Sequence, residues 1–171
     1  MSEANLLDAK KIKEAKDQYN EDLKNNVDVF AKMLSMQKSL QAELYAKNPA
    51  IQNVYNLQNE TLGNIHTWML DSKVAFDDEF REIIDALAGM NKSPKDRSAL
   101  WKKWKKNYNT IRSEKFSDLS ENEQIKLKFE VCDAFHFFMM MMLGVNMSAE
   151  DMYIYYMYKN KENFERIKRG Y

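Results

Sequence analysis

Residues 129–145 read FEVCDAFHFFMMMMLGV, apolar at every position except Glu130, Asp133 and His136. Its four consecutive methionines, Met139 to Met142, would cover all sides of a helix, as expected where a helix is buried by its own chain and by a neighbour. Upstream, Ser120 and Glu123 have capping-box spacing, and downstream Gly144 supplies a stop, so the pattern predicts a helix reaching Leu143. The rest of the chain agrees with a helical reading. Its 171 residues include 4 Gly, 2 Pro and only nine Val and Thr together, too few turn and β-branched residues for a sandwich or barrel. The expected fold class is all-α, a helical bundle of about five to six helices.

Outward from this helix, Ser148 followed by Asp151 opens a last helix running to about Lys168. Ser93-Pro94 is an N-cap followed by an N1 proline, predicting a helix over 94–115. On it Trp101, Trp104, Tyr108 and Ile111 form a stripe with interleaved lysines that could suggest nucleic acid, but its spacing of three and four reads as core, and no nucleic-acid partner is expected. A further helix begins near Thr61 or Asn64 and ends at Leu87 before Gly89, with Phe76, Phe80, Ile83 and Leu87 as its core stripe. Residues 26–47 form a helix with Val27, Phe30, Leu34 and Leu44 on one face, stopped by Asn48-Pro49. Residues 50–63 read as an irregular connection or a short helix, and 1–25 as a polar N-terminal helical extension. No repeat, linker or composition break divides the chain, so a single domain over 1–171 is expected.

Composition narrows the function. Lys+Arg and Asp+Glu are equal at 26, a balance that gives no support to a nucleic-acid partner. Gly63, Gly89, Gly144 and Gly170 stand far apart, so no phosphate-cradling glycine loop can be written. One cysteine, Cys132, excludes an internal disulfide framework and fits a reducing compartment. The N-terminus is charged from its third residue, unlike a secretory signal, and the most apolar run, Phe137 to Val145, is about half a membrane span. A soluble, cytoplasmic protein with no membrane partner is expected.

The chemistry concentrates in carboxylates. Glu130 and Asp133 lie one turn apart in the apolar run, where an unpaired charge costs several kcal/mol. Their compensating group is either a Lys or Arg of another helix, in a buried salt bridge, or a divalent cation. Glu79 and Glu82 make a second i, i+3 pair, bracketed by the small side chains Ala75 and Ala86, which leaves room for an ion and its waters. Four carboxylates from two helices suit Mg²⁺ or Mn²⁺ and not zinc. A di-iron bundle needs two Glu-x-x-His elements, and Asp133-Ala-Phe-His136 is the sole acid-x-x-His, so that reading fails.

The pattern Glu79-x-x-Glu82 followed by Glu130-x-x-Asp133 resembles the E-x-x-E…E-x-x-D signature of the all-α nucleoside triphosphate pyrophosphatases, the superfamily of dimeric dUTPases and MazG-like enzymes. WMLDSKVAFDDEFREIIDAL (68–87), the block Trp101-Lys-Lys-Trp104-Lys-Lys, FEVCDAFHFF and the terminal YMYKNKENFERIKRGY follow in that superfamily's order. Within it the resemblance is to the dCTPase–dUTPase family of T-even-type phages, and it covers residues 30 to 171. It implies Mg²⁺-dependent hydrolysis of dCTP and dUTP to the monophosphate and pyrophosphate, a homodimer, and residence in the host cytoplasm. Glu79, Glu82, Glu130 and Asp133 become metal ligands, with Glu79 favoured as the base that deprotonates water.

The same resemblance gives roles to residues that are otherwise open. Gln37 and Gln41, amides on an apolar face, either bond to backbone or read a pyrimidine edge. Dimeric dUTPases carry Asn where Gln41 stands, and an amide can present donor or acceptor to cytosine and uracil alike. Trp68 either stacks on the base or is a core aromatic. Tyr156, Lys159, Asn163 and Arg166 share a face of the last helix; they are cations suited to a helix C-terminus or, with Tyr171, a phosphate clamp. A dUTP-selective dUTPase, a broad MazG-like enzyme and a catalytically silent helical interaction protein remain alternatives.

Overall fold

The structure, a computed structural model, describes residues 8–48 and 60–170. Among them there are seven α-helices and no strand, as the composition requires. They are α1 (Ala9–Lys24), α2 (Val29–Lys47), α3 (Leu62–Leu87), α4 (Pro94–Arg97), α5 (Tyr108–Ser113), α6 (Glu121–Gly144) and α7 (Ala149–Lys168). Packing divides the described residues into two compact units, one of 8–18 and 70–138 and one of 19–48, 60–69 and 139–170.

In the first unit, α3 from Leu70 and α6 up to Phe138 carry the acid pairs. The end of α3 and the start of α6 are tied by one side chain. Glu123, buried, accepts from the Asn91 N–H at 3.0 Å through Oε1 and from the Ser120 N–H and hydroxyl at 3.0 and 2.7 Å through Oε2. Capping-box spacing foretold the Ser120 half of this clamp but not the Asn91 half. Gly89 turns the chain there at φ +94°, a left-handed backbone conformation that favours glycine.

The helix expected over 94–115 is broken. Ser93 caps α4 as foreseen, accepting from the Asp96 N–H, but α4 ends at Arg97 and α5 begins at Tyr108. Lys102, Lys103, Lys105 and Lys106 would place like charges at i, i+3 and i, i+4 along a continuous helix, which opposes one. The stripe read as core is only partly so: Ile111 is buried, Trp101 is 44% exposed and Trp104 is 80% exposed. On α3, likewise, Phe80 and Leu87 are exposed, and from Leu70 onward the buried positions are the small Ser72 and Ala86.

In the second unit, Trp68 packs against Ile65, Met69, Met140 and Met141. Asp28 caps α2 by accepting from the Phe30 and Ala31 N–H groups at 3.0 and 2.9 Å. Lys32 pairs with the nearly buried Asp22 at 2.6 Å. α7 opens on the Ser148–Asp151 capping box and packs on α2, yet buries no residue fully. The left-handed residue that turns the chain after α6 is Asn146, at φ 57°, two residues beyond the glycine expected to stop it. No single helix among the described residues is long and apolar enough to cross a membrane.

Candidate functional site

α3 and α6 each present an i, i+3 acid pair, and the fold of the first unit brings the pairs together. One carboxylate oxygen from each of Glu79, Glu82 and Glu130 lies within 4.8 Å of the others. Asp133, exposed on α6, stands close enough to act electrostatically on Glu79 and Glu82. Glu130 is 4% exposed, Glu79 is half-buried and Glu82 is exposed, so the cluster runs from the interior to solvent.

Its electrostatics are those of crowded acids. Burial raises the Glu79 carboxyl above its ordinary range, and Glu82, Asp133, Glu130 and Asp78 raise it further. Burial also raises Glu82, and the neighbouring Glu130 adds to this, against a lowering by Lys126. Asp133 is raised by burial and then by Glu130, against a lowering by His136 and Lys126. The counter-charge is Lys126, one turn before Glu130, whose Nζ lies 2.7 Å from Glu130 Oε1 with both side chains largely buried. Sequence reasoning looked for a cation on another helix and missed this one at i−4 on the same face.

One ammonium against four carboxylates leaves surplus negative charge, and hard oxygen donors converging from two helices match Mg²⁺ or Mn²⁺. Glu79, Glu82 and Glu130 would hold the ion, with Asp133 at the margin. A pH dependence follows. A carboxyl raised in the folded state binds its proton before the unfolded chain does, so it lowers stability above the raised value and relieves that cost as pH falls. The metal-free protein should therefore melt at higher temperature as pH is lowered from neutral towards the ordinary carboxylate range of about 4. Below that the trend reverses, because Glu123, held low first by the Asn91 N–H, loses its bonds on protonation. With saturating Mg²⁺ the melting temperature should instead fall with pH throughout, since protons compete with the ion. Melting curves from pH 7.5 to 3.5 with and without Mg²⁺ check this; parallel curves would count against a metal centre here.

The other expected site residues lie in the second unit. Gln37 is 2% exposed and Gln41 half-buried, and Gln37 is hydrogen-bonded or otherwise partnered within the fold. Trp68, 6% exposed within its methionine cluster, takes a packing role. Tyr156, Lys159, Asn163 and Arg166 are all exposed on α7, with Arg166 3.4 Å from Glu162. Tyr171 lies outside the described residues.

No protein-family model matches the chain, and no solved structure does. Whole proteins do. The chain is 40% identical over 153 residues to a dCTP pyrophosphatase of Enterobacteria phage LZ5, covering 90% of this chain and 88% of that protein. It is 37% identical over 160 residues to a dCTP pyrophosphatase of Enterobacteria phage T4, covering 94% and 92%. A DNA replication protein of phage T4 is 35% identical over 150 residues, covering 88% of this chain and 38% of that longer protein.

Proposed function

Because the chain belongs to the family of phage dCTP pyrophosphatases, we propose that it hydrolyses dCTP and dUTP to dCMP and dUMP with release of pyrophosphate. The observation that carries this reading is the approach of Glu79, Glu82 and Glu130 within 4.8 Å of one another. Mg²⁺, or Mn²⁺, held there would neutralise the triphosphate and lower the pKa of an attacking water.

The chain's own residues supply the rest. Glu79, half-buried at the acid cluster, is the general base, a carboxylate placed where the ion would activate water. It accepts the proton of the water whose oxygen attacks phosphorus, and the bond to the departing phosphate oxygen breaks. Lys126, 2.7 Å from Glu130, holds that carboxylate in place. Gln37 and Gln41 are assigned to the pyrimidine edge, and Tyr156, Lys159, Asn163, Arg166 and Tyr171 to the phosphates.

The active unit is a homodimer acting in the host cytoplasm. Tyr153, Tyr155, Tyr158, Phe164 and Ile167 are exposed along α7, and Phe80 and Leu87 along α3, more apolar surface than a solitary chain ordinarily leaves in water.

The deciding experiment measures pyrophosphate release from each deoxynucleoside triphosphate with and without Mg²⁺. Release from dCTP and dUTP only with Mg²⁺ supports the reading. Release from dUTP alone would make it a dUTPase, from all of them a MazG-like enzyme, and from none an interaction protein.

The phosphate assignment has its own test. Arg166→Ala should keep its melting temperature, because the side chain is exposed. It should bind a non-hydrolysable dCTP analogue about ten- to a hundredfold more weakly, the value of one charge-assisted bond. Binding of dCMP should barely change. Calorimetry with the two ligands checks this, and equal losses would place Arg166 at the nucleoside instead.

A further inference from the structure

The hydrolytic centre makes no use of the most cationic surface of the protein. Residues 92–115 hold nine Lys and Arg against Asp96 and Glu114, a surplus of seven in a chain whose net charge is zero. Two of the cations are spoken for: Lys92 pairs with Glu114 at 2.8 Å and Arg97 with Asp85 at 3.4 Å. Lys102, Lys103, Lys105 and Lys106 pair with no carboxylate among the described residues, and Lys105 reaches only the Lys95 carbonyl at 3.4 Å. In their midst Trp104 is 80% exposed, with Trp101 three residues before it. Beside them Lys95, Lys105, Lys106, Asn107 and Thr110 line an open cleft together with one acid, Asp96, which accepts from the Asn107 amide at 3.2 Å.

An indole left in water serves no packing purpose, and two lysine pairs set around it hold its surroundings positive. Protein interfaces enrich tryptophan but deplete lysine, so this composition does not fit a protein partner. It fits a strand of nucleotides, where a π-face meets an unpaired base and ammonium groups meet successive phosphates. A duplex fits less well. Its major groove admits a helix, and the nearby helices α4 and α5 have only 4 and 6 residues.

We propose that the segment Trp101–Lys106 binds single-stranded nucleic acid, with Trp104 stacking on a base and Lys102, Lys103, Lys105 and Lys106 neutralising the flanking phosphates. Zero net charge gave no support to such a partner, but the whole-chain balance hides a local surplus. The charge is segregated, and the second tryptophan of the stripe is outside the core.

The test is fluorescence anisotropy of a labelled dT20 titrated with the full chain in the absence of divalent ions and nucleotide. Four phosphate contacts to a single strand give a salt slope of about −2.8, so affinity should fall about fiftyfold between 50 and 200 mM NaCl. Trp104→Ala should weaken binding about tenfold without changing the melting temperature, because almost none of its side chain is buried. The double variant Lys103→Glu with Lys106→Glu should abolish it. No binding at 50 mM salt would overturn the proposal. So would wild-type affinity in Trp104→Ala together with equal competition by poly-glutamate, which would mark a patch for an acidic protein. Displacement of dT20 by dCTP, with a raised KM in the lysine double variant, would also overturn it and assign the lysines to the triphosphate. The anisotropy outcomes do not depend on whether the chain hydrolyses dCTP.

Discussion

Replacing Glu82 by glutamine is expected to lower dCTP turnover by at least about a thousandfold while leaving the metal-free protein as stable as before, or more so. The two effects share a cause. Glu82 gathers with Glu79 and Glu130 within 4.8 Å, and each charge raises the cost of the others until a cation arrives. Losing a partner one layer outside a metal already costs 10- to 100-fold, so losing a direct ligand costs more. Glu79→Gln and Asp133→Asn should behave in the same way, their carboxyls being raised by burial and by neighbouring acids. Glu130→Gln should lose activity equally but differ in stability, because it removes the largely buried ion pair with Lys126. Steady-state rates and melting curves of the four variants check this. Two variants that keep most of their activity would remove the carboxylate centre.

Removing Lys126 should have the opposite effect on the ion. Lys126→Met should bind Mn²⁺ at least tenfold more tightly than the unaltered chain, and its metal-free form should melt at lower temperature. A unit charge about 5 Å from a divalent ion opposes binding by on the order of 2–6 kcal/mol between the limits of water and protein surface. Tenfold is therefore a lower bound. Lys128→Met is the control: it removes the same net charge from an exposed position two residues away. Electron paramagnetic resonance of free Mn²⁺ gives both affinities. Equal affinities in the two variants would show that Lys126 does not act at the acid cluster.

Much of this architecture was legible in the amino-acid sequence wherever the signal was local. Ser93-Pro94, Ser148 with Asp151 and Gly89 each mark a helix boundary, because caps and left-handed turns are decided by a few adjacent atoms. The acid pairs were legible for a similar reason: i, i+3 spacing places two side chains on one face whatever surrounds the helix. What the sequence could not show was burial. Phe80 and Leu87 have core spacing and are exposed, while the small Ser72 and Ala86 on the same helix are buried. Periodicity reveals that a face is apolar without telling which neighbour covers it. Trp104 was misread on the same ground. Lys126 escaped notice because one lysine among many acquires meaning only when its surroundings are dry.

The Glu123 carboxylate, which holds Asn91 through one oxygen and Ser120 through the other, has a consequence for how such a protein can change over generations. Seven residues separate Glu123 from Glu130, two turns of α6 on the same face, so the anchor stands directly below the acid it serves. Everything between Asn91 and Ser120 leaves and returns at fixed points. Insertions beside the exposed lysines 102–106 are absorbed by these two anchors, whereas changes at Arg97, which pairs with Asp85 of α3 at 3.4 Å, or at the buried Ala99 and Ile111 reach the helix that carries the acids.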